Sequence, residues 1–129
     1  MEKQIQKHLI MVTHGVEDGI RQILFAFQFS LTLRNMGVEV SIFLTGLAAK
    51  WAYKGIEQTV QGDEFSVLRD YIKEFANNGG EILVCRTCYG EEYNLKGRDA
   101  MDQTVGEGVK LVGLNVIAEK SLDCKVIVF

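Results

Sequence analysis

Two cysteines in the segment Cys85-Arg86-Thr87-Cys88 are the residues of this chain best suited to do chemistry. The thiolate, not the thiol, is the nucleophile in sulfur chemistry, so whatever lowers the pKa decides reactivity. Arg86 sets positive charge beside Cys85, and a loop at a strand end offers free backbone N–H groups to an anion. Cys88 is close enough to resolve a sulfenic acid, persulfide or mixed disulfide on Cys85. The pair follows Ile82-Leu83-Val84, an apolar run that reads as a buried strand. In α/β sheets, sites gather where strands end.

The same spacing serves other chemistries. Structural zinc needs four ligands. Cys85 and Cys88 supply two and His14 a third, while His8 and Cys124 belong to the opposite edge. A thioredoxin-like reductase opens a helix with its Cys pair, whereas Tyr89-Gly90-Glu91-Glu92-Tyr93-Asn94 reads as loop. The chain also has no proline, so it lacks the cis-Pro that such folds set beside the pair. Buried thiols that merely fill space are a third reading. His14 reads either as a base or thiolate partner, or as a loop histidine bonded to backbone. The stretch His14 to Gly19 has two glycines but no phosphate-binding fingerprint, and Glu17 and Asp18 would repel phosphate. Arg98 reads as surface, Trp51 as core or interface, and Cys124 as structural.

The elements that must position these residues follow from periodicity. His8–Thr13 is a compact apolar run, hence a buried parallel strand. Asp18 is placed to cap the next helix, which runs to about Met36. Ile20, Ile23, Leu24, Phe27 and Leu31 form one apolar stripe and Phe25, Phe29, Leu33 and Met36 a second. The second stripe packs on a neighbouring element or marks a subunit interface. Val38–Leu44 is the next strand, Thr45-Gly46 turns the chain, and a short helix spans Leu47 to about Tyr53. Gly55–Gly62 reads as surface loop, and Asp63 opens a helix bearing Phe65, Leu68, Ile72 and Phe75. Glu81–Val84, Val109–Val112 and Lys125–Phe129 read as strands, with a helix at Leu114–Leu122 and a long polar loop before Val109. The predicted fold is a single α/β domain, residues 1–129: three layers, with a mostly parallel five-stranded sheet and helices on both faces. His14, Thr45 and Cys85 then share one sheet edge and Cys124 lies at the other.

Composition narrows the partners. The chain has 129 residues, 47% apolar and 24% charged, with a net charge of −3 and no Lys/Arg block, which argues against nucleic acid or an anionic membrane. No run approaches the roughly 20 apolar residues of a membrane span. Met1–Gln6 is polar, without a signal-peptide core. The expectation is a cytoplasmic protein with no organic cofactor. Three cysteines do not make a disulfide framework.

The chain resembles the DsrE/DsrF/TusD family, and within it the YchN-like branch. The opening strand, the long first helix, Glu81-Ile82-Leu83-Val84-Cys85-Arg86-Thr87-Cys88 and the closing Leu122-Asp123-Cys124-Lys125-Val126-Ile127-Val128-Phe129 carry the resemblance, which spans nearly the whole chain. It implies a homotrimer or homohexamer. It also implies a sulfur relay in which Cys85 accepts a persulfide sulfur from a donor protein and passes it to an acceptor, as a sulfurtransferase does. Cys88 is then a resolving or second carrier thiol, and Arg86 and His14 support it. Family members often carry an Arg-Gly pair shortly after the cysteine, where this chain has Gly90-Glu91-Glu92-Tyr93.

Overall fold

The computed structural model describes residues 6–56 and 63–129. The polar N-terminal stretch 1–5 and most of the expected loop after Gly55 (57–62) lie outside the described residues. Five strands, β1 Lys7–Val12, β2 Glu39–Leu44, β3 Glu81–Cys85, β4 Val109–Val112 and β5 Lys125–Val128, form one sheet in the order β4-β3-β2-β1-β5. Every neighbouring pair is parallel, as buried apolar runs joined by helical crossovers require.

The helices are α1 Arg21–Asn35, α2 Glu64–Asn77, α3 Arg86–Glu92, α4 Arg98–Thr104 and α5 Leu114–Ser121, with 3-10 segments at Val16–Asp18 and Gly46–Ala52. Alternation divides the sheet into two unequal faces. Ile10, Val12, Val40, Ile42, Leu44, Ile82 and Val84 join Ile23, Phe27, Leu68 and Phe75 of α1 and α2 in the main core. Leu9, Phe43, Leu83 and Cys85 point the other way and meet Ile117 of α5. Strand β1 steps through β2 and β3 to β4 in one direction, and α5 then carries the chain back to the far edge. That reversal leaves α5 on the thinly covered face, where Val126 and Val128 of β5 stay exposed.

Several expectations shift. The first stripe of α1 is seated in the core. The second is split: Phe25 and Phe29 stack around Phe129 and Leu33 packs against the core, while Met36 is exposed. Asp18 does not cap α1: it closes a 3-10 turn, Ile20 takes the N-cap position, and the Asp18 carboxylate accepts from His14 Nδ1 instead. Asp63 precedes α2 without a side-chain cap bond. The short helix expected after Thr45 is present as a 3-10 segment, Gly46–Ala52. The largest correction follows Cys85. The segment read as loop is α3, and α4 occupies part of the expected polar loop. Tyr89 explains it: fully buried, it stacks on Tyr93 one turn later and bonds Thr104 at 2.8 Å. That burial outweighs the poor helix propensity of Gly90. The loop-based objection to a thioredoxin-like pair therefore falls, while the absence of proline stands.

Candidate functional site

Cys85 closes β3 and caps α3 in one residue. Its backbone is still extended (φ −63°, ψ 115°), and its Sγ accepts the Cys88 N–H at 3.4 Å. This is the geometry of an N-cap side chain meeting the third amide of a helix, with sulfur in the usual place of oxygen. The two thiols are consequently neighbours across the first helical turn. Cys85 is buried against Leu83 and Ile117, whereas Cys88 is partly exposed and touches both cores.

The environments split the pair. Burial pushes the Cys85 thiol up, and the Cys88 sulfur, to which it donates, pushes it further; the amides of Cys88 and Thr87 offset this only in part. Burial also works against ionising Cys88, but hydrogen bonds from the Cys85 thiol, the Gly46 N–H and the Thr45 hydroxyl outweigh it and draw that thiol below its ordinary value. Thr45 Oγ1 lies 3.7 Å from Cys88 Sγ. Gly46 stands at φ +58°, a conformation that favours glycine. Strand order brings these groups together, because Leu44 pairs with Val84 and so the chain leaves β2 beside the end of β3.

The surrounding rim is charged and tied down. Lys50 on the 3-10 helix pairs with Glu17 and, at 3.8 Å, with Glu92 of α3. The Tyr93 hydroxyl donates to the Lys50 carbonyl at 2.7 Å, and Trp51 Nε1 donates to the His14 carbonyl at 3.1 Å. His14 and Thr45 share the edge with the Cys pair, but only Thr45 bonds a sulfur. The exposed His14 Nδ1 is engaged by Asp18 at 3.0 Å. Arg86 turns toward β4 and donates to the Leu111 carbonyl at 3.0 Å. Cys124 precedes β5 at the opposite edge, beside Lys7 and Glu119. Among the described residues no three His, Cys, Asp or Glu side chains gather to hold a metal ion. Among the described residues, no helix is long and apolar enough to cross a membrane. Thr45 and Gly46 are the residues that sequence reasoning placed at this edge without giving them a role toward sulfur.

Comparison with known proteins bears on the same arrangement. The profile of the DsrE/DsrF-like family matches residues 6–129. The chain belongs to the DsrE/DsrF-like family. Among solved structures, this DsrE-like fold is similar to the YchN protein of E. coli, with a TM-score of 0.72 and 16% identity over 96% of this chain and 100% of that one. It is also similar to BT1422, a conserved protein of unknown function from Bacteroides thetaiotaomicron, with a TM-score of 0.58 and 18% identity over 96% and 95%. At such identities the likeness speaks for the fold. No curated protein matches the chain.

Proposed function

We propose that this DsrE-like protein carries sulfur as a cysteine persulfide on the Cys85–Cys88 pair and passes it to an acceptor thiol. The carrying observation is the pair itself: two free thiols on one strand-to-helix turn, with the Cys88 amide donating to Cys85 Sγ and the Thr45 hydroxyl within hydrogen-bonding reach of Cys88 Sγ. Membership of a family known for sulfur relay supports the reading. The resemblance matches Cys85 to the family's strand-end cysteine, and the 3.4 Å bond from the Cys88 amide to Cys85 Sγ supports Cys88 as its partner. A protein persulfide or a low-molecular-weight persulfide is the donor class, and the location is the cytoplasm.

The carrier works as a homotrimer or homohexamer. Leu114 and Leu122 around α5, with Val126 and Val128 of β5, leave an exposed apolar strip on the thinly covered face. Reduced protein incubated with a persulfide donor, followed by intact and peptide mass spectrometry, tests the carrier role. Sulfur taken up by the pair, seen as added sulfur or as released sulfide and absent when both cysteines are serine, is the expected result. Unmodified thiols in demonstrably reduced protein would overturn it.

A dithiol redox role is the second reading, favoured by the discovery that the pair opens a helix. It expects rapid Cys85–Cys88 disulfide formation with ordinary disulfide substrates, and neither retained sulfur nor released sulfide when a persulfide is supplied.

A further inference from the structure

The two thiols of the pair are not equivalent, and their surroundings assign an order to them. We propose that Cys88 accepts the sulfur and that Cys85 then discharges it as sulfide by closing a Cys85–Cys88 disulfide, with Thr45 as the positioning residue for Cys88. The inference rests on the carrier reading and adds an activity to it: reduction of the carried sulfur.

Three observations carry it. Thr45 Oγ1 lies 3.7 Å from Cys88 Sγ, and the Gly46 amide next along the chain favours the ionised form of the same sulfur. The Cys85 thiol acts in the same sense, so the polar surroundings of Cys88 favour its anion despite its partial burial. Cys88 is partly exposed at the open edge of the sheet, whereas Cys85 is 8% exposed and packed under Leu83 and Ile117, so an incoming donor meets Cys88 first. Finally, the Cys88 amide holds Cys85 Sγ at 3.4 Å within the same helical turn, which keeps the second thiol beside the first. The acidic side chain of Glu91 opposes ionisation of Cys88.

The chemistry balances in two steps. The Cys88 thiolate attacks the outer sulfur of a donor R–S–SH. The donor's S–S bond breaks, R–S⁻ leaves with the electron pair, and Cys88 becomes Cys88–S–SH. Cys85 then attacks the inner sulfur of that persulfide. The Cys85 proton passes to the departing hydrosulfide, and the products are the Cys85–Cys88 disulfide and hydrogen sulfide. The carried sulfur is reduced by two electrons, which the two thiols supply. A cellular dithiol reductant resets the pair by exchange. Burial keeps Cys85 protonated, so it does not compete for the donor and brings the proton that the leaving sulfide takes. An acceptor thiol that reaches Cys88–S–SH before Cys85 attacks diverts the sulfur to transfer instead.

The test uses the full chain, reduced and desalted without air, mixed with glutathione persulfide. Sulfide is trapped with a bimane reagent, and sulfur is mapped by peptide mass spectrometry. Wild type should release about one sulfide per chain without added reductant and end as the Cys85–Cys88 disulfide. Cys85→Ser should keep the added sulfur on Cys88 and release no sulfide, and Cys88→Ser should do neither. Thr45→Val removes one polar partner of the Cys88 sulfur, raises that thiol's pKa and slows loading roughly threefold at neutral pH. Its pH profile moves to alkaline values, and Thr45→Ser restores both. Independently, alkylation of wild type across pH should modify Cys88 at lower pH than Cys85. Sulfur on Cys85 while Cys88 stays bare, or an alkylation order with Cys85 first, overturns the inference and leaves the carrier reading intact. No added sulfur or sulfide in any form overturns both.

Discussion

Replacing Tyr93 by Phe tests how the site's two walls are joined. Tyr93 ends α3, and its hydroxyl donates to the Lys50 carbonyl of the 3-10 helix at 2.7 Å, so it ties the element bearing Cys88 to the element that follows Thr45. The substitution removes this one bond and little else. The ring keeps its neighbours, Tyr53 at 5.0 Å and Tyr89 at 5.3 Å. The Lys50 carbonyl is not orphaned either, because the Tyr53 amide also reaches it at 3.3 Å. The full penalty of an unpaired buried acceptor therefore does not apply, and the cost is that of an ordinary neutral hydrogen bond, about 1 kcal/mol. For a chain of this size that is roughly 4 °C in Tm. Tyr93→Leu also loses both ring contacts and should cost about 2–4 kcal/mol.

The pH dependence sharpens the test. Burial, with the nearby Tyr89, Tyr53, Glu17 and Glu92, raises the Tyr93 pKa well above its ordinary value of 10. A raised folded-state pKa gives stability that is complete below the unfolded value and is lost as pH climbs above about 10. The stability gap between wild type and Tyr93→Phe should therefore narrow above pH 10, because Phe has no proton to lose. Urea unfolding followed by Trp51 fluorescence and circular dichroism measures both numbers. A Tyr93→Phe cost above 3 kcal/mol, or equal losses for Phe and Leu, would show that the hydroxyl is not the isolated tie described here. A gap that stays constant through pH 11 would refute the protonation argument.

Three other variants probe the remaining supports. Glu81 accepts from Ser41 at 2.8 Å and pairs with Lys120 at 3.0 Å and Lys110 at 3.5 Å; burial opposes its ionisation, but these partners hold its carboxyl below the ordinary 4.5. That stability is present above pH 4.5 and lost as pH falls, so wild type should lose its advantage over Glu81→Gln in acid unfolding, and parallel acid arms would contradict this. Gly80→Ala would set a methyl group 2.5 Å from Cε1 of the fully buried Phe75 ring, which Phe27 braces edge-on at 5.7 Å. The cost should be about 1–3 kcal/mol and be partly relieved by Phe75→Leu in a double-mutant cycle; additive losses would rule the clash out. Val128→Glu puts a charge on the exposed strip of β5. Light scattering after size exclusion should show smaller assemblies with sulfur loading per chain retained, and an unchanged mass would remove that strip from the interface.

The fold was legible because its strands advertise themselves. Runs such as Leu9 to Val12 and Ile82 to Val84 are too continuously apolar for anything but a sheet covered on both sides, and each is followed by a helix or turn signal. Strand polarity alone separated Cys124 from Cys85, and the structure keeps them at opposite edges. What failed was local. Gly90 and the paired Glu91 and Glu92 argued for loop after Cys88, and the winning term was the burial of Tyr89 and its stacking on Tyr93, visible in advance only as an i, i+4 aromatic pair. Asp18 looked like a cap because its type and position fit, yet His14 lay within reach four residues earlier and took the carboxylate.

The chemistry shows the same division more sharply. In sequence, Cys85 and Cys88 are symmetric, and Arg86 beside Cys85 tilts the choice toward the first. Two facts that no local window contains reverse the tilt. Arg86 is drawn to the Leu111 carbonyl of β4, so its hydrogen bond goes to backbone rather than sulfur. The pairing of β2 with β3 delivers Thr45 and Gly46, some forty residues earlier in the chain, to Cys88. A charge adjacent in sequence is worth little when its side chain has a better partner, while a neutral hydroxyl and an amide fixed by sheet register act on the sulfur directly. The order of reactivity within the pair is thus a property of strand order, and it changes with Thr45 rather than with Arg86.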